Sequence, residues 1–126
     1  MSTVDFHWYD PDKTVLRFTV SGRWTWGDLH RQLKRATLWL DTHDRSVSAV
    51  IDLRGGERLP AGIVGHVRSL PNSYLHPRAD RRMILLGVPD DVRAILQADG
   101  DRLMVGEFTL CFAADDAAIG ALLSQP

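Results

Sequence analysis

Residues 47–53 read VSAVIDL, a continuous and mostly apolar run. A strand of this kind is buried on both faces, which is the mark of a parallel sheet covered by helices. MILLGV, residues 83–88, is a second such run. Parallel neighbours cannot be joined by tight turns, so the stretches between the strands must carry crossovers, normally helices. This requirement restricts the chain to the α/β class and directs attention to what lies between the strands.

The flanking segments supply those helices. Thr25 is a good N-cap with Asp28 three residues later, and Trp26, Leu29, Leu33, Ala36 and Leu40 recur at helical spacing. The spacing predicts a first helix over about 26–41, with His30, Arg31, Lys34 and Arg35 off the apolar stripe, Leu38 opposite it and Trp39 at its margin. Ile63, Val64, Val67 and Leu70 predict a second helix that has Pro60 in its first turn and stops at Pro71. Pro89-Asp90-Asp91 opens a short helix that Gly100 closes, and DDAAIGALL (115–123) makes a last one buried through Ile119, Leu122 and Leu123. EFTLCF (107–112) is the last strand. Before all of these, VDFHW (4–8) and VLRFTV (15–20) alternate about the turn YDPDKT and read as a hairpin. The predicted order is β-β-α-β-α-β-α-β-α, a mostly parallel five-stranded sheet with an antiparallel first strand. Ile51, Leu53, Leu85 and Leu86 are expected to be buried.

Composition bounds the function. The 126 residues suit a single domain, 1–126, with 44% hydrophobic and 25% charged residues. The net charge of −1 gives no reason to expect nucleic acid as a partner. No charged start followed by an apolar run suggests a signal peptide, and the longest apolar run is far short of a membrane span. The single cysteine, Cys111, cannot form an internal disulfide, and a cytoplasmic location is the plain expectation.

The stretch nearest to chemistry is DLRGGERLPAG, residues 52–62, where a buried strand ends in a carboxylate, an arginine and two glycines. It lacks the lysine and hydroxyl of a phosphate-binding loop and the G-x-G-x-x-G spacing of a dinucleotide loop. Gly55 and Gly56 are expected to free the backbone for a wide turn. Arg54, Glu57 and Arg58 are then exposed at the carboxyl edge of the sheet, where α/β proteins hold ligands. Asp52 is expected to pair with Arg54 or Arg58. His7, His30, His43, His66 and His76 show no metal-ligand spacing and are expected at the surface, and Cys111 is expected as a buried thiol. No cofactor, metal or catalytic constellation is expected. HPRADRR (76–82) is expected as a solvated loop. Of four tryptophans, Trp8 and Trp26 fit the core and Trp24 fits a staple at the helix start, while Leu38 and Trp39 are candidates for an interface or a pocket wall.

The segments VSGRWTWGDLHRQL, AVIDLRG, MILLGVPDDV and FTLCFAADDAAIGAL, taken in this order, resemble the STAS family, also called SpoIIAA-like, and the IDLRG form is closest to its branch of apolar-ligand carriers. The resemblance implies that fold and a binding or regulatory role rather than catalysis. The family's phosphorylated serine at the start of the second helix corresponds to Pro60, Ala61 and Gly62, none of which bears a hydroxyl. The implied role is therefore a scaffold without the phosphorylation switch. It would bind a protein partner, with a homodimer among the possibilities, and in the alternative a small apolar ligand. The candidate surface comprises Arg54, Gly55, Gly56, Glu57, Arg58, Leu38 and Trp39.

Overall fold

The computed structural model describes residues 3–125. The elements are β1 (Val4–Trp8), β2 (Val15–Val20), α1 (Trp26–Leu40), β3 (Val47–Asp52), α2 (Ile63–Ser69), a 3-10 turn (Leu70–Ser73), β4 (Ala79–Leu86), α3 (Asp90–Ile95), β5 (Arg102–Val105), β6 (Phe108–Ala113) and α4 (Asp116–Leu123). They build one sheet in the order β1-β2-β3-β4-β6-β5. β2, β3, β4 and β6 are mutually parallel, and β1 runs antiparallel beside β2, as the alternation of apolar runs and helical stripes requires.

The sheet has six strands rather than five. Arg102–Val105 forms an edge strand antiparallel to β6. A four-residue strand carries little periodicity, and Leu103 is its only fully buried residue. The turn is legible only in retrospect: Gly106, at φ +59, takes the left-handed backbone that this tight hairpin needs. Three other boundaries move. β4 starts at Ala79, so Arg81 and Arg82 belong to the strand and not to a solvated loop. Arg81 lies 3.7 Å from Glu107 and over the Phe108 ring, and Arg82 donates to the Leu122 carbonyl at 2.5 Å. α2 starts at Ile63, and Pro60 lies in the loop before it; Gly62, at φ +87, is the N-cap. Nor does Pro71 stop the helical path, because it sits at the start of the 3-10 turn that continues it.

The crossovers put α1, α2, the 3-10 turn and α3 on one face of the sheet. There Trp26, Leu29, Leu33, Ala36 and Leu40 of α1 meet Leu16, Phe18, Ile51, Leu85 and Leu110 in one core. α4 covers the other face, with Ile119 and Leu122 on Val50, Ile84, Leu86 and Cys111. Ile51, Leu53, Leu85 and Leu86 are buried. Thr25 caps α1 by accepting a hydrogen bond from the Asp28 amide at 3.1 Å. Cys111 is buried, and that burial pushes its thiol pKa up and leaves it a poor nucleophile. Tyr74 is wholly buried and donates to the Val47 carbonyl at 3.1 Å, which ties the segment before β4 to the start of β3.

Candidate functional site

β2 and β3 are adjacent and parallel, so the loops leaving their carboxyl ends lie side by side. Gly22, after β2, and Gly56, after β3, form a parallel bridge, and the Glu57 amide donates to the Gly22 carbonyl at 3.0 Å. Beyond this bridge the two loops diverge and enclose an open groove of about 910 Å³, lined by Gly22–Thr25 on one wall and 57–61 on the other. Trp24 forms its base, packed edge-on against Trp26. The Trp26 indole N–H donates to the Pro60 carbonyl at 3.1 Å and fixes the second wall to α1. The Trp24 indole N–H is buried with no hydrogen-bond partner among the described residues.

The glycines act by size and not by backbone freedom. Neither Gly55 nor Gly56 has a positive φ. A Cβ on Gly55 would sit 2.4 Å from the Val20 carbonyl oxygen, and one on Gly56 would sit 2.3 Å from the Trp24 indole nitrogen. The expectation of a wide, free turn is thus corrected: the loop presses against the end of β2 and against a buried indole. Gly55→Ala is expected to lower unfolding stability by about 1–3 kcal/mol through forced displacement of backbone. Gly65→Ala serves as the contrast, because a Cβ there meets open space on an α2 helix that gains from alanine. Urea unfolding of the two variants measures the difference.

The charged residues of this stretch part company. Arg54 is turned away from the groove, bonded to Asp52 at 2.9 and 3.0 Å and to Asp116 of α4 at 3.1 Å. Asp52 also accepts from Arg17 of β2 at 2.7 Å, and Arg17 reaches Asp116 at 3.1 Å. The expected Asp52–Arg54 pair is present, Arg17 is an addition, and Arg58 takes no part. Glu57 lies 3.3 Å from Arg23 across the mouth of the groove, with both side chains largely in water. Arg58 is exposed and makes no hydrogen bond or ion pair among the described residues. The rim therefore presents one loosely held ion pair and one unengaged guanidinium.

Leu38 and Trp39 lie elsewhere, on α1, at 65% and 43% exposure. Trp39 packs edge-on against Phe6, with ring centres 4.6 Å apart, and lies 5.8 Å from Trp8, which stacks on His43. Trp8 is consequently half-buried, whereas Trp24 and Trp26 are buried. The structure thus splits the candidate surface into two places and adds Arg23, Trp24, Thr25 and Leu59 to the groove.

Only His7 is exposed, against the surface expectation for all five histidines: His43 stacks on Trp8, His76 is bonded to Asp41, and His30 and His66 meet each other. His30 Nε2 and His66 Nδ1 lie 3.1 Å apart, His30 Nδ1 lies 2.6 Å from the buried Ser73 hydroxyl, and the His66 ring stacks on Trp26. No spacing rule could find this pair, which is made between two helices. Among the described residues no cluster of three or more His, Cys, Asp or Glu side chains is placed to hold a metal ion, and no helix is long and apolar enough to cross a membrane. No family model, curated protein or solved structure matches the chain.

Proposed function

We propose that the chain is a non-catalytic binding module of the STAS type, which engages a protein partner through the groove between the β2–α1 and β3–α2 loops. The observation that carries the reading is the contrast between the groove rim and the bonded polar groups beside it. Asp52, Arg17, Arg54 and Asp116 are consumed in bonds to one another, and Ser73 is spent on His30. At the rim, Arg23, Glu57 and Arg58 remain in water above a floor fixed by Trp24 and Trp26. Exposed charges on a preorganised rim govern association rate and partner choice more than fold stability. The family reading is supported by the hairpin followed by parallel β-α units. It is a variant form, with β5 added and no hydroxyl where α2 begins. A small apolar ligand is the weaker reading for this groove, because such ligands take enclosed and largely apolar walls.

A photo-crosslinking residue in place of Leu59, inside the groove, is expected to give an adduct of defined mass in cells. The same residue in place of Met104, on the far edge strand, should give none. Adding Arg58→Glu should reduce the Leu59 adduct several-fold while the melting temperature stays within about 2 °C, the range of a neutral surface change. An adduct formed instead from the position of Leu38 would move the working surface to α1 and overturn the groove assignment. Release of a lipid on denaturing the purified protein would favour the ligand-carrier reading.

A further inference from the structure

α2 is seven residues long and has one fully buried side chain, Val67. Ile63 and Val64 are only half-buried. Its remaining attachments are polar or aromatic. Arg68 donates to the Leu96 carbonyl at 3.0 Å, while His66 stacks on Trp26 and meets His30 of α1 at 3.1 Å. Ile63 and Val64 also pack on the core and α2 runs on into the buried Leu70 and Pro71, so the histidine contact is one attachment among several of a short helix.

We propose that His30 and His66 form a proton-operated latch that holds α2 against α1 while the pair carries no more than one proton and releases it when the pair takes up the second.

The chemistry of the two ring nitrogens dictates this behaviour. A neutral imidazole has one N–H donor and one acceptor, so a neutral pair makes one N–H···N bond. A singly protonated pair keeps that bond and strengthens it with charge. A doubly protonated pair has donors on both nitrogens, now 3.1 Å apart, and two positive charges with no acceptor between them. The surroundings offer no relief. The 3-10 turn contributes the neutral Ser73 hydroxyl, α1 contributes the cationic Lys34, and residues 59–62 carry no charge. Arg68, on α2 itself, is directed to the Leu96 carbonyl. Among the described residues no carboxylate is bonded to either ring. Burial, then the neighbouring His66 and then Lys34 hold the His30 pKa below its ordinary value of 6.5. With the ring nitrogens 3.1 Å apart, a second proton on the pair meets the charge and the N–H of the first and is disfavoured while the helices stay docked. For a histidine depressed in the folded state, the contact is intact above the ordinary value. Its cost accrues as the pH falls from there toward the lowered second step.

Native-state hydrogen exchange of amides 66–69, with β3 amides as the internal reference and a metal chelator present, tests the latch. Opening of α2 relative to β3 is expected to rise several-fold between about pH 7.5 and about pH 5.0, because the docked pair disfavours a second proton that the released rings accept freely. His30→Gln, which keeps a hydrogen-bonding group near the Nε2 position, should cut that rise to about twofold or less, the response of a lone titrating ring. Ring-nitrogen NMR of the unmodified protein supplies a readout that needs no variant: the two imidazoles should titrate in mutually dependent steps. Equal opening at the two pH values, an undiminished rise in His30→Gln, or two independent ordinary titrations would each overturn the proposal.

Discussion

Leu33→Ala is expected to destabilise the protein by about 2–5 kcal/mol, the combined loss of burial and the cavity left behind. Leu33 has no exposed surface and lies at the middle of the stripe that α1 lays on the sheet, between Leu29 and Ala36. Relaxation cannot readily fill the space, because the neighbours on either side are themselves pinned. Thr25 caps the amino end of the helix, and Trp26 is tied to the Pro60 carbonyl. Urea unfolding followed by tryptophan fluorescence measures the loss. Leu38→Ala, on the opposite face at 65% exposure, should change stability by about 0.5 kcal/mol or less. If Leu38→Ala were the more damaging change, and its effect depended on protein concentration, the α1 face would be covered by a second copy in solution.

That contrast was legible in the sequence, because a 3.6-residue period separates Leu33 from Leu38 without any knowledge of what they touch. The same is true of Ile51 and Leu85, whose strands are apolar on both faces and could only be central. Other features depended on contacts between segments distant in the chain. β5 is four residues with alternate exposure, too short to stand out against a loop. Gly55 and Gly56 were recognisable as turn residues, but the reason for them lies in Val20 and Trp24, more than 30 positions earlier. The groove has two walls, of which part of one, Glu57 and Arg58, announced itself. The other, Gly22–Thr25, became a wall because β2 and β3 are neighbours, and strand adjacency is not written in either strand. The His30–His66 contact is the extreme case, since the residues lie 36 positions apart on different helices and neither carries any sign of the other.

Asp52→Asn is expected to cost about 3 kcal/mol at neutral pH, the penalty for removing one partner from a largely buried ion pair. Asp52 is the hub of the carboxyl end of the sheet. Its two oxygens accept from the Arg54 amide at 3.0 Å, from the Arg54 guanidinium at 2.9 and 3.0 Å and from Arg17 at 2.7 Å. An asparagine of the same shape supplies one acceptor oxygen and no charge, so Arg17, whose side chain is 13% exposed, keeps only its contact to Asp116. Because Asp116 lies in the first turn of α4, the loss should also loosen that helix, which covers the second face. The pH dependence separates this account from a simple packing defect. Burial alone would raise the Asp52 pKa, but the bonds from the Arg54 side chain and amide, the Arg54 charge and the bond from Arg17 outweigh it and hold it below 3.8. For a carboxylate depressed in the folded state, the contribution is complete above the ordinary value. It is lost as the pH falls from there through the lowered native value. The unmodified protein should therefore lose stability more steeply than Asp52→Asn as the pH falls below about 4, and the two unfolding free energies should converge. Parallel curves, with a constant gap down to the acid limit, would mean that the substitution acts through shape and not through charge.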